Sequence, residues 1–438
     1  MMSQPMTGNE GELNVSLGGN TIAHLSLQHD QIFLHYTQDW QQSGYAISPH
    51  LPLSGEIPTS NVQRYLRNLF PEGDALDTLL TNLRLSKANT FGIIRTLGGD
   101  TSGSLLFLPS EQSLPTTSSL RPITPAEIEK RLNERDEYSL IIWDGKPRLS
   151  MAGVQDKINV TITLDGQMGF GEGKLVSTHL LKFEKQKLSH LVINEYVSMQ
   201  LAQQCGIQVA NVELIRFGKY PALLIKRFDR KLTPTGEVMR RHVIDGCQAL
   251  NLPPEYKYER NFGSGRDVAH IREGASLAKL FEFANQCTNP ANTKNKMLDW
   301  VLFNLLIYNY DAHGKNISFY VKKNGMSLTP FYDLVNIKMY PQFESDMAMA
   351  LGDDFDGEAI KAYQLADFAD SCQLSRSYLA KQLKNMASTL HSVLDKNDIF
   401  VVACNEKENH YLKQYKQMIQ KRCEYFLEQA DEIISVKL

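Results

Sequence analysis

Asp311-Ala312-His313-Gly314-Lys315-Asn316 is the stretch from which the fold of this 438-residue chain can be read. It follows an apolar run, Met297 to Tyr308, in which Met297, Val301, Leu305 and Tyr308 recur at helical spacing. A buried helix therefore delivers Asp311 into a polar loop. Next come Ile317 to Lys323, the dipeptide Asn324-Gly325, and Met326 to Asp333. Asn-Gly between two strand-like runs predicts a hairpin closed by a two-residue type I′ turn. With Lys323 opposite Met326, Asn316 falls opposite Asp333. Directly paired residues have Cβ atoms roughly 5 Å apart, so an amide oxygen and a carboxylate can share one cation. Alone, the spacing of Asp311 and Asn316 fits a polar loop; the predicted register gives it chemistry.

The length accommodates two or three domains or lobes. A hydrophobic fraction of 42% and a charged fraction of 22% are those of an ordinary globular protein, which excludes the disordered and fibrous classes. A net charge of −3 gives no general attraction to nucleic acid, although local patches are compatible with it. The six cysteines are widely spaced with no CxxC pair, as for reduced thiols rather than a disulfide framework or zinc site. Met1 to Gly11 is polar and predicts no signal peptide, and Trp300 to Tyr308 is too short to span a bilayer. A cytoplasmic protein with no membrane partner is expected.

Glu12 to Leu17, Thr21 to Leu27 and Gln31 to Tyr36 predict successive strands of a small antiparallel sheet. Thr59 to Leu85 is helical in pattern, interrupted at Pro71-Glu72-Gly73, and Ser104 to Leu108 is a further strand. Residues 1–112 form the expected N-terminal β-rich subdomain. The Pro/Ser/Thr-rich residues 113–123 are a connector. A capping box, Thr124-Pro125-Ala126-Glu127, then opens a helix. Ala152 to Lys157, with one glycine at Gly153, precedes the alternating strand Ile158 to Leu164. Backbone N–H groups in such a loop can face phosphate oxygens, with Lys157 adding charge, although a tight turn has the same composition. Lys182 interrupts the apolar strand Thr178 to Glu184 and needs a partner there. The following helix, Leu191 to Cys205, supplies Glu195. Tyr220 to Asp229 is an apolar strand turning polar, and residues 124–229 form the expected nucleotide-binding part. Residues 230–438 are largely helical, with helices over Leu277 to Cys287, Lys294 to Tyr308, Tyr378 to Leu394 and His410 to Ile434.

The order of these parts is phosphate loop, strand lysine, hinge candidate Lys226-Arg227-Phe228, Asp311 with Asn316, then Asp333. That is the order of functional parts in a protein kinase. Four groups of residues also resemble the HipA family of bacterial serine/threonine-kinase toxins. They are Arg148, Ser150, Ala152, Gly153, Gln155 and Lys157; Arg227-Phe228-Asp229-Arg230; Asp311, His313, Lys315 and Asn316; and Pro330-Phe331-Tyr332-Asp333. Cys247-Gln248, Leu252-Pro253 and Lys257-Tyr258-Glu259 resemble it too, and the likeness covers nearly the whole chain.

The resemblance implies an α+β, bilobal kinase fold related to phosphatidylinositol 3/4-kinases, with a β-rich N-terminal lobe carrying an extra small sheet and a mostly helical C-terminal lobe. It implies ATP and Mg²⁺, with transfer of the γ-phosphoryl group to serine of a protein. Asp311 would be the base, and Asn316 and Asp333 the Mg²⁺ ligands. Nucleotide would be contacted by Ala152, Gly153, Val154, Gln155, Asp156, Lys157, Lys182, Lys226, Arg227, Phe228, His313, Gly314, Lys315, Asn316, Tyr332 and Asp333. The implied protein substrate is an aminoacyl-tRNA synthetase, with growth arrest and drug tolerance as the result. The implied partner is a dimeric helix-turn-helix antitoxin that carries the kinase onto operator DNA. Ser150 matches the family's autophosphorylation site, where a phosphate of roughly −1.5 to −2 charge would oppose ATP phosphates and switch the enzyme off. Ala369 to Arg376 holds few of the basic residues that phosphate contacts require, so direct DNA binding by this chain is not implied. Asp311, Asn316 and Asp333 do not themselves distinguish a protein acceptor from a small molecule or lipid, nor a kinase from a corepressor scaffold with little catalysis.

Overall fold

Apolar–polar alternation near the N-terminus builds three strands, β1 (Gly11–Leu17), β2 (Asn20–Gln28) and β3 (Gln31–Tyr36). With β4 (Leu106–Pro109) they make an antiparallel sheet in the order β3-β2-β1-β4. Its buried face carries Leu13, Val15, Ile22, Leu25 and Leu34. The turn between β2 and β3 has both central residues, His29 and Asp30, at positive φ, the requirement of a type I′ turn. The computed structural model describes residues 11–149, 156–185, 188–343, 345–396 and 405–438.

The predicted helix over Thr59 to Leu85 is two helices, Thr59–Arg67 and Gly73–Leu83, parted at Pro71-Glu72 as the sequence implies. Part of the Pro/Ser/Thr-rich stretch is a strand, β5 (Ser118–Pro122). The capping box is formed: Thr124 Oγ1 accepts from the Glu127 N–H at 3.2 Å, and Glu127 Oε2 accepts from the Thr124 N–H at 2.8 Å. It opens the helix Pro125–Asn133. Then come β6 (Lys157–Ile162), β7 (Met168–Gly173) and β8 (His179–Phe183), with β5 paired to β7 and β7 to β6. Strand β7 carries three glycines, and a Cβ at Gly171 would lie 1.9 Å from the Leu175 carbonyl oxygen. That close approach admits no side chain.

The remaining elements that matter to the site are α1 (Leu191–Gln204), the antiparallel pair β9 (Val212–Phe217) and β10 (Tyr220–Lys226), and α2 (Pro290–Leu306). They continue with β11 (Ser318–Lys322), β12 (Gly325–Leu328), α3 (Arg376–Asp395) and α4 (Glu406–Glu432). Helix α2 starts with Pro290 after the Asn289 cap, and Trp300, Leu302 and Phe303 are buried in it. The chain divides into two compact units. The first comprises Met1–Leu181, Arg227–Ile244 and Tyr320–Lys323. The second comprises Lys182–Lys226, Asp245–Phe319 and Asn324–Leu438. Mixed helix and sheet agrees with the expected α+β class. No helix of the described residues is long and apolar enough to cross a membrane.

The hairpin differs from expectation. Strand β12 begins at Gly325, and the Thr329 N–H donates to the Ser318 carbonyl at 3.0 Å, so the register is two residues from the predicted one. Only Gly325 of the Asn-Gly pair has positive φ, at 115°, whereas type I′ requires both. The glycine supplies its conformational freedom one place after the turn, as in a G1 bulge. Because β12 ends at Leu328, Asp333 is not placed by the ladder at all.

One buried group in the first unit makes stability depend on pH. His242 Nε2 donates to the Ile47 carbonyl at 2.8 Å, and burial pushes the imidazole down to about 4. The unfolded imidazole takes a proton first on acidification, so the stabilisation is complete above pH 6.5 and is lost as pH falls towards 4. Between pH 7.5 and 5 the loss should be on the order of 2 kcal/mol. Urea midpoints at the two pH values should show it in the native chain, and His242→Gln should lack that share.

Candidate active site

Lys182 lies near the end of β8 and is only 4% exposed. Its Nζ donates to Glu195 Oε1 at 2.8 Å and also to Asp333 Oδ1. Burial alone would lower its pKa, but the carboxylates of Asp333 and Glu195 outweigh that and raise it. Burial pushes Glu195, fully enclosed, in the direction of the protonated form, partly countered by Lys182. An isolated charge at this depth would cost several kcal/mol, so the three groups hold one another in place.

Glu195 comes from α1, whose Asn194, Glu195 and Ser198 are all buried, so their polar groups require internal partners. Asn194 Nδ2 donates to the Asn336 carbonyl at 2.9 Å and to Tyr411 Oη at 2.7 Å, while the Asn336 N–H donates to Asn194 Oδ1 at 2.8 Å. Ser198 Oγ and Tyr415 Oη are 2.7 Å apart. Thus α1 is tied both to α4 and to the segment just after Asp333.

Helix α2 ends at Leu306, and Tyr308, at φ 57°, turns the chain into the Asp311 loop. The Asp311 carbonyl accepts from the His313 N–H at 2.8 Å and from Asn316 Nδ2 at 2.8 Å. His313 caps the 3₁₀ turn Gly314–Asn316, its Nδ1 accepting from the Lys315 N–H at 3.3 Å. The Gly314 N–H donates to the Lys257 carbonyl at 2.9 Å, and a Cβ on Gly314 would lie 2.5 Å from that of Ala275. The Asp311 carboxylate itself accepts from Tyr258 Oη at 2.7 Å. Lys315 is buried and paired with Asp245 Oδ2 at 2.5 Å.

Asp333 is placed by anchors on either side. The Ala210 N–H donates to the Phe331 carbonyl and the Phe331 N–H to that of Gln208, while the Phe331 ring stacks on Trp300 at 5.7 Å. Tyr332 Oη donates to the Lys315 carbonyl at 2.8 Å and lies 2.6 Å from Ser318 Oγ. Asp333 then takes φ 56°, and its carbonyl accepts from Asn309 Nδ2 at 3.3 Å. These anchors do the work that the sequence argument assigned to strand register.

With its nitrogen on the Asp311 carbonyl, the Asn316 amide keeps its oxygen as the end available to a cation. An amide oxygen and the Asp333 carboxylate are hard donors, and Mg²⁺ takes one or two carboxylates together with water and substrate phosphates. Those residues fit Mg²⁺. Among the described residues, no three His, Cys, Asp or Glu side chains group to hold a metal by themselves.

Other expected contacts fall differently. Ser150, Ala152, Gly153, Val154 and Gln155 lie outside the described residues. Asp156, Lys157, Arg227 and Phe228 belong to the first unit; Lys182, Lys226, His313, Gly314, Lys315, Asn316, Tyr332 and Asp333 belong to the second. Arg227, expected at an adenine hinge, is buried in an ionic network. Its Nε donates to Asp229 Oδ1 at 3.0 Å, and its Nη1 to Ser177 Oγ at 2.7 Å. Arg230 joins it through Asp229 Oδ2 at 2.8 Å and Asp100 Oδ1 at 3.1 Å. The Lys226 N–H donates to the Asn211 carbonyl and the Arg227 N–H to that of Thr178, so neither is left for a base edge. Sequence reading missed this network, the Asp245 partner of Lys315, and Asn194. Only Asp245 had a legible signal, since Asp245 and Gln248 form a capping box.

A lysine–glutamate pair, an aspartate on a hydrogen-bonded loop and the hard oxygen donors of Asn316 and Asp333 make a candidate phosphoryl-transfer site. Comparison with known proteins agrees. The HipA N-terminal domain matches residues 13–108 and the HipA-like C-terminal domain matches residues 149–394. The chain is 45% identical over 429 residues, 97% of its length, to the serine/threonine-protein kinase toxin HipA of Shewanella oneidensis, covering 98% of that protein. It is 28% identical over 414 residues, covering 91% of this chain and 95% of the relative, to the putative kinase Y4mE of Sinorhizobium fredii. It superposes with a TM-score of 0.90 on HipA in the Shewanella oneidensis MR-1 complex of HipA, HipB and operator DNA, covering 97% of this chain and 100% of that one at 45% identity. The chain belongs to the HipA family.

Replacing Lys182 with methionine strands two carboxylates in the site. Lys182→Met should destabilise the chain by on the order of 3 kcal/mol, seen as a lower urea midpoint. The same variant should lower phosphoryl transfer by about 10²-fold or more, read as ADP release.

Proposed function

We propose that the chain is the serine/threonine-kinase toxin of a toxin–antitoxin pair, transferring the γ-phosphoryl group of ATP to serine of a protein. The observation that carries this reading is the buried Lys182–Glu195 pair, with Asp333 at its solvent side, in a chain 45% identical to a kinase toxin over almost its whole length. Lys182 would orient ATP phosphates, Asp311 would take up the acceptor proton, and Asn316 and Asp333 would hold Mg²⁺. When bound, that ion neutralises charge on the phosphates.

Within this reading His313, Gly314, Lys315 and Tyr332 shape the loop around Asp311, and Lys315 does so with its charge already matched by Asp245. Asp156, Lys157, Lys226, Arg227 and Phe228 stay proposed as nucleotide neighbours, although the Arg227 N–H and side chain are already engaged within the fold. Kinship of the fold with phosphatidylinositol 3/4-kinases belongs to the same proposal. So do a cytoplasmic location, an aminoacyl-tRNA synthetase as target, growth arrest as consequence, and self-inactivation by phosphorylation of Ser150. The partner proposed is a dimeric HipB-like helix-turn-helix antitoxin, through which the chain reaches operator DNA. Direct DNA contact through Ala369 to Arg376 is not proposed: Arg376 Nε donates to Asp370 Oδ1 at 2.9 Å, which already matches its charge.

Intact-mass spectrometry after incubation with ATP and Mg²⁺ tests the reading. The native chain should gain phosphate that maps to Ser150, and Asp311→Asn should gain none. Equal gain by both would remove Asp311 from the chemistry, and no gain by the native chain despite bound ATP would point to a non-protein acceptor.

A further inference from the structure

We propose that one water molecule is bound in a cavity between α2 and the Asp311 loop, where it joins Trp300, Asn304 and Asn309 and so braces the segment that carries Asp333. Three polar atoms point to it. Trp300 Nε1, Asn304 Nδ2 and Asn309 Oδ1 are buried and have no hydrogen-bond partner among the described residues. Trp300 is 1% exposed and the two asparagines 5% each, so bulk solvent does not serve these atoms. Groups in that condition are rare in folded proteins, because each forfeits its hydration without replacement. The water site does not depend on the phosphotransfer reading.

Neighbouring acceptors fix which way the two amides face. The Asn309 N–H donates to the Asn304 carbonyl at 2.9 Å, and Asn309 Nδ2 to Asn304 Oδ1 at 2.8 Å. Asn309 Nδ2 also donates to the Asp333 carbonyl at 3.3 Å. A carbonyl oxygen only accepts, so turning the Asn309 amide over would set two acceptors against each other. The Asn309 nitrogen is thereby committed, and its oxygen remains as an acceptor. Asn304, whose oxygen is taken, keeps a donor. Trp300 supplies a second donor from four residues earlier on α2, hence from the same side of the helix. Its ring is held by stacking on Phe331 at 5.7 Å.

The same three residues line one cavity of about 30 Å³. A bound water requires roughly 10–15 Å³ and about two to four polar partners, whereas small-molecule pockets run to about 300 Å³ or more. Two donors and one acceptor complement a single water, which accepts from Trp300 and Asn304 and donates to Asn309. Of the lining residues only Ala312 and Met347 are not buried, which places the entry for water beside the Asp311 loop. Asn309 also holds the carbonyl of Asp333, whose backbone sits at φ 56°. The water extends that support back to α2.

A crystal structure of the native chain that resolves ordered water tests the site directly. One peak should stand about 2.7–3.2 Å from all three atoms. No peak, or one that misses any of the three, would overturn the proposal. So would xenon in the cavity of a pressurised crystal, since a dry apolar void takes xenon. Thermodynamic coupling provides a second test, in solution. Trp300→Phe removes one donor and keeps a ring against Phe331, while Asn309→Ala removes the acceptor. If both act through one water, the effect of the double variant on the unfolding constant should fall short of the product of the single effects by roughly fivefold. Effects that multiply in full would overturn the bridge. Should either variant fail to fold, the native crystal decides alone.

Discussion

The ammonium group of Lys182, held by Glu195 and Asp333 out of reach of bulk water, is the constraint on which the second unit is built. A buried cation of this kind is tolerable only if its partners cannot drift, because each lost contact leaves an uncompensated charge. The chain meets that condition from two directions. Asn194 and Ser198 fasten the helix that carries Glu195 to Tyr411 and Tyr415, and Phe331 fastens the segment that carries Asp333 to Gln208, Ala210 and Trp300. Asn194 also binds Asn336 in both directions, so the two carboxylate-bearing segments are linked to each other as well as to Lys182.

The Asp311 loop follows the same logic with main-chain groups. The Asp311 carbonyl is the common acceptor of the His313 N–H and the Asn316 amide, and the Lys315 carbonyl takes the Tyr332 hydroxyl. Such bonds fix the loop without using the carboxylate of Asp311. Preorganisation of this kind is what a phosphoryl-transfer site requires, since positioning and electrostatics supply most of its rate. It also explains why Gly314 has to be glycine: the loop is pressed against Ala275 and Cys247 too closely for any side chain.

Local patterns made much of the fold legible. Strand alternation in β1 to β3, the Thr124 capping box and the apolar period of α2 each depend on neighbours in sequence, and each took the predicted form, except that α2 runs from Pro290 to Leu306 and leaves Tyr308 outside it. The candidate site was legible for a different reason: Lys182 and Glu195 stand out because a charge in an apolar strand demands a partner. What could not be read was geometry set by distant residues. Asn324-Gly325 satisfied the composition of a type I′ turn, yet tertiary contacts placed Gly325 one position later. Arg227 looked like part of a nucleotide hinge because its position in the order of parts fitted. Its buried bonds to Asp229, Asp100 and Ser177 join segments more than forty residues apart or depend on a fold-specific burial that no local pattern encodes.

The charge balance of the second unit bears on what the site can accept. Glu195, Asp245, Asp311 and Asp333 supply four carboxylates, against the ammonium groups of Lys182, Lys315 and Lys257. Lys315 is already matched by Asp245, and Lys182 is shared between two acids. A polyanion such as a nucleotide triphosphate would therefore find the charges of Lys182 and Lys315 already matched, unless positive charge came with it. In the proposed reading, the hard oxygen donors of Asn316 and Asp333 are where a divalent cation would supply that charge. Under the proposed kinase reading, nucleotide binding would then depend on such a cation.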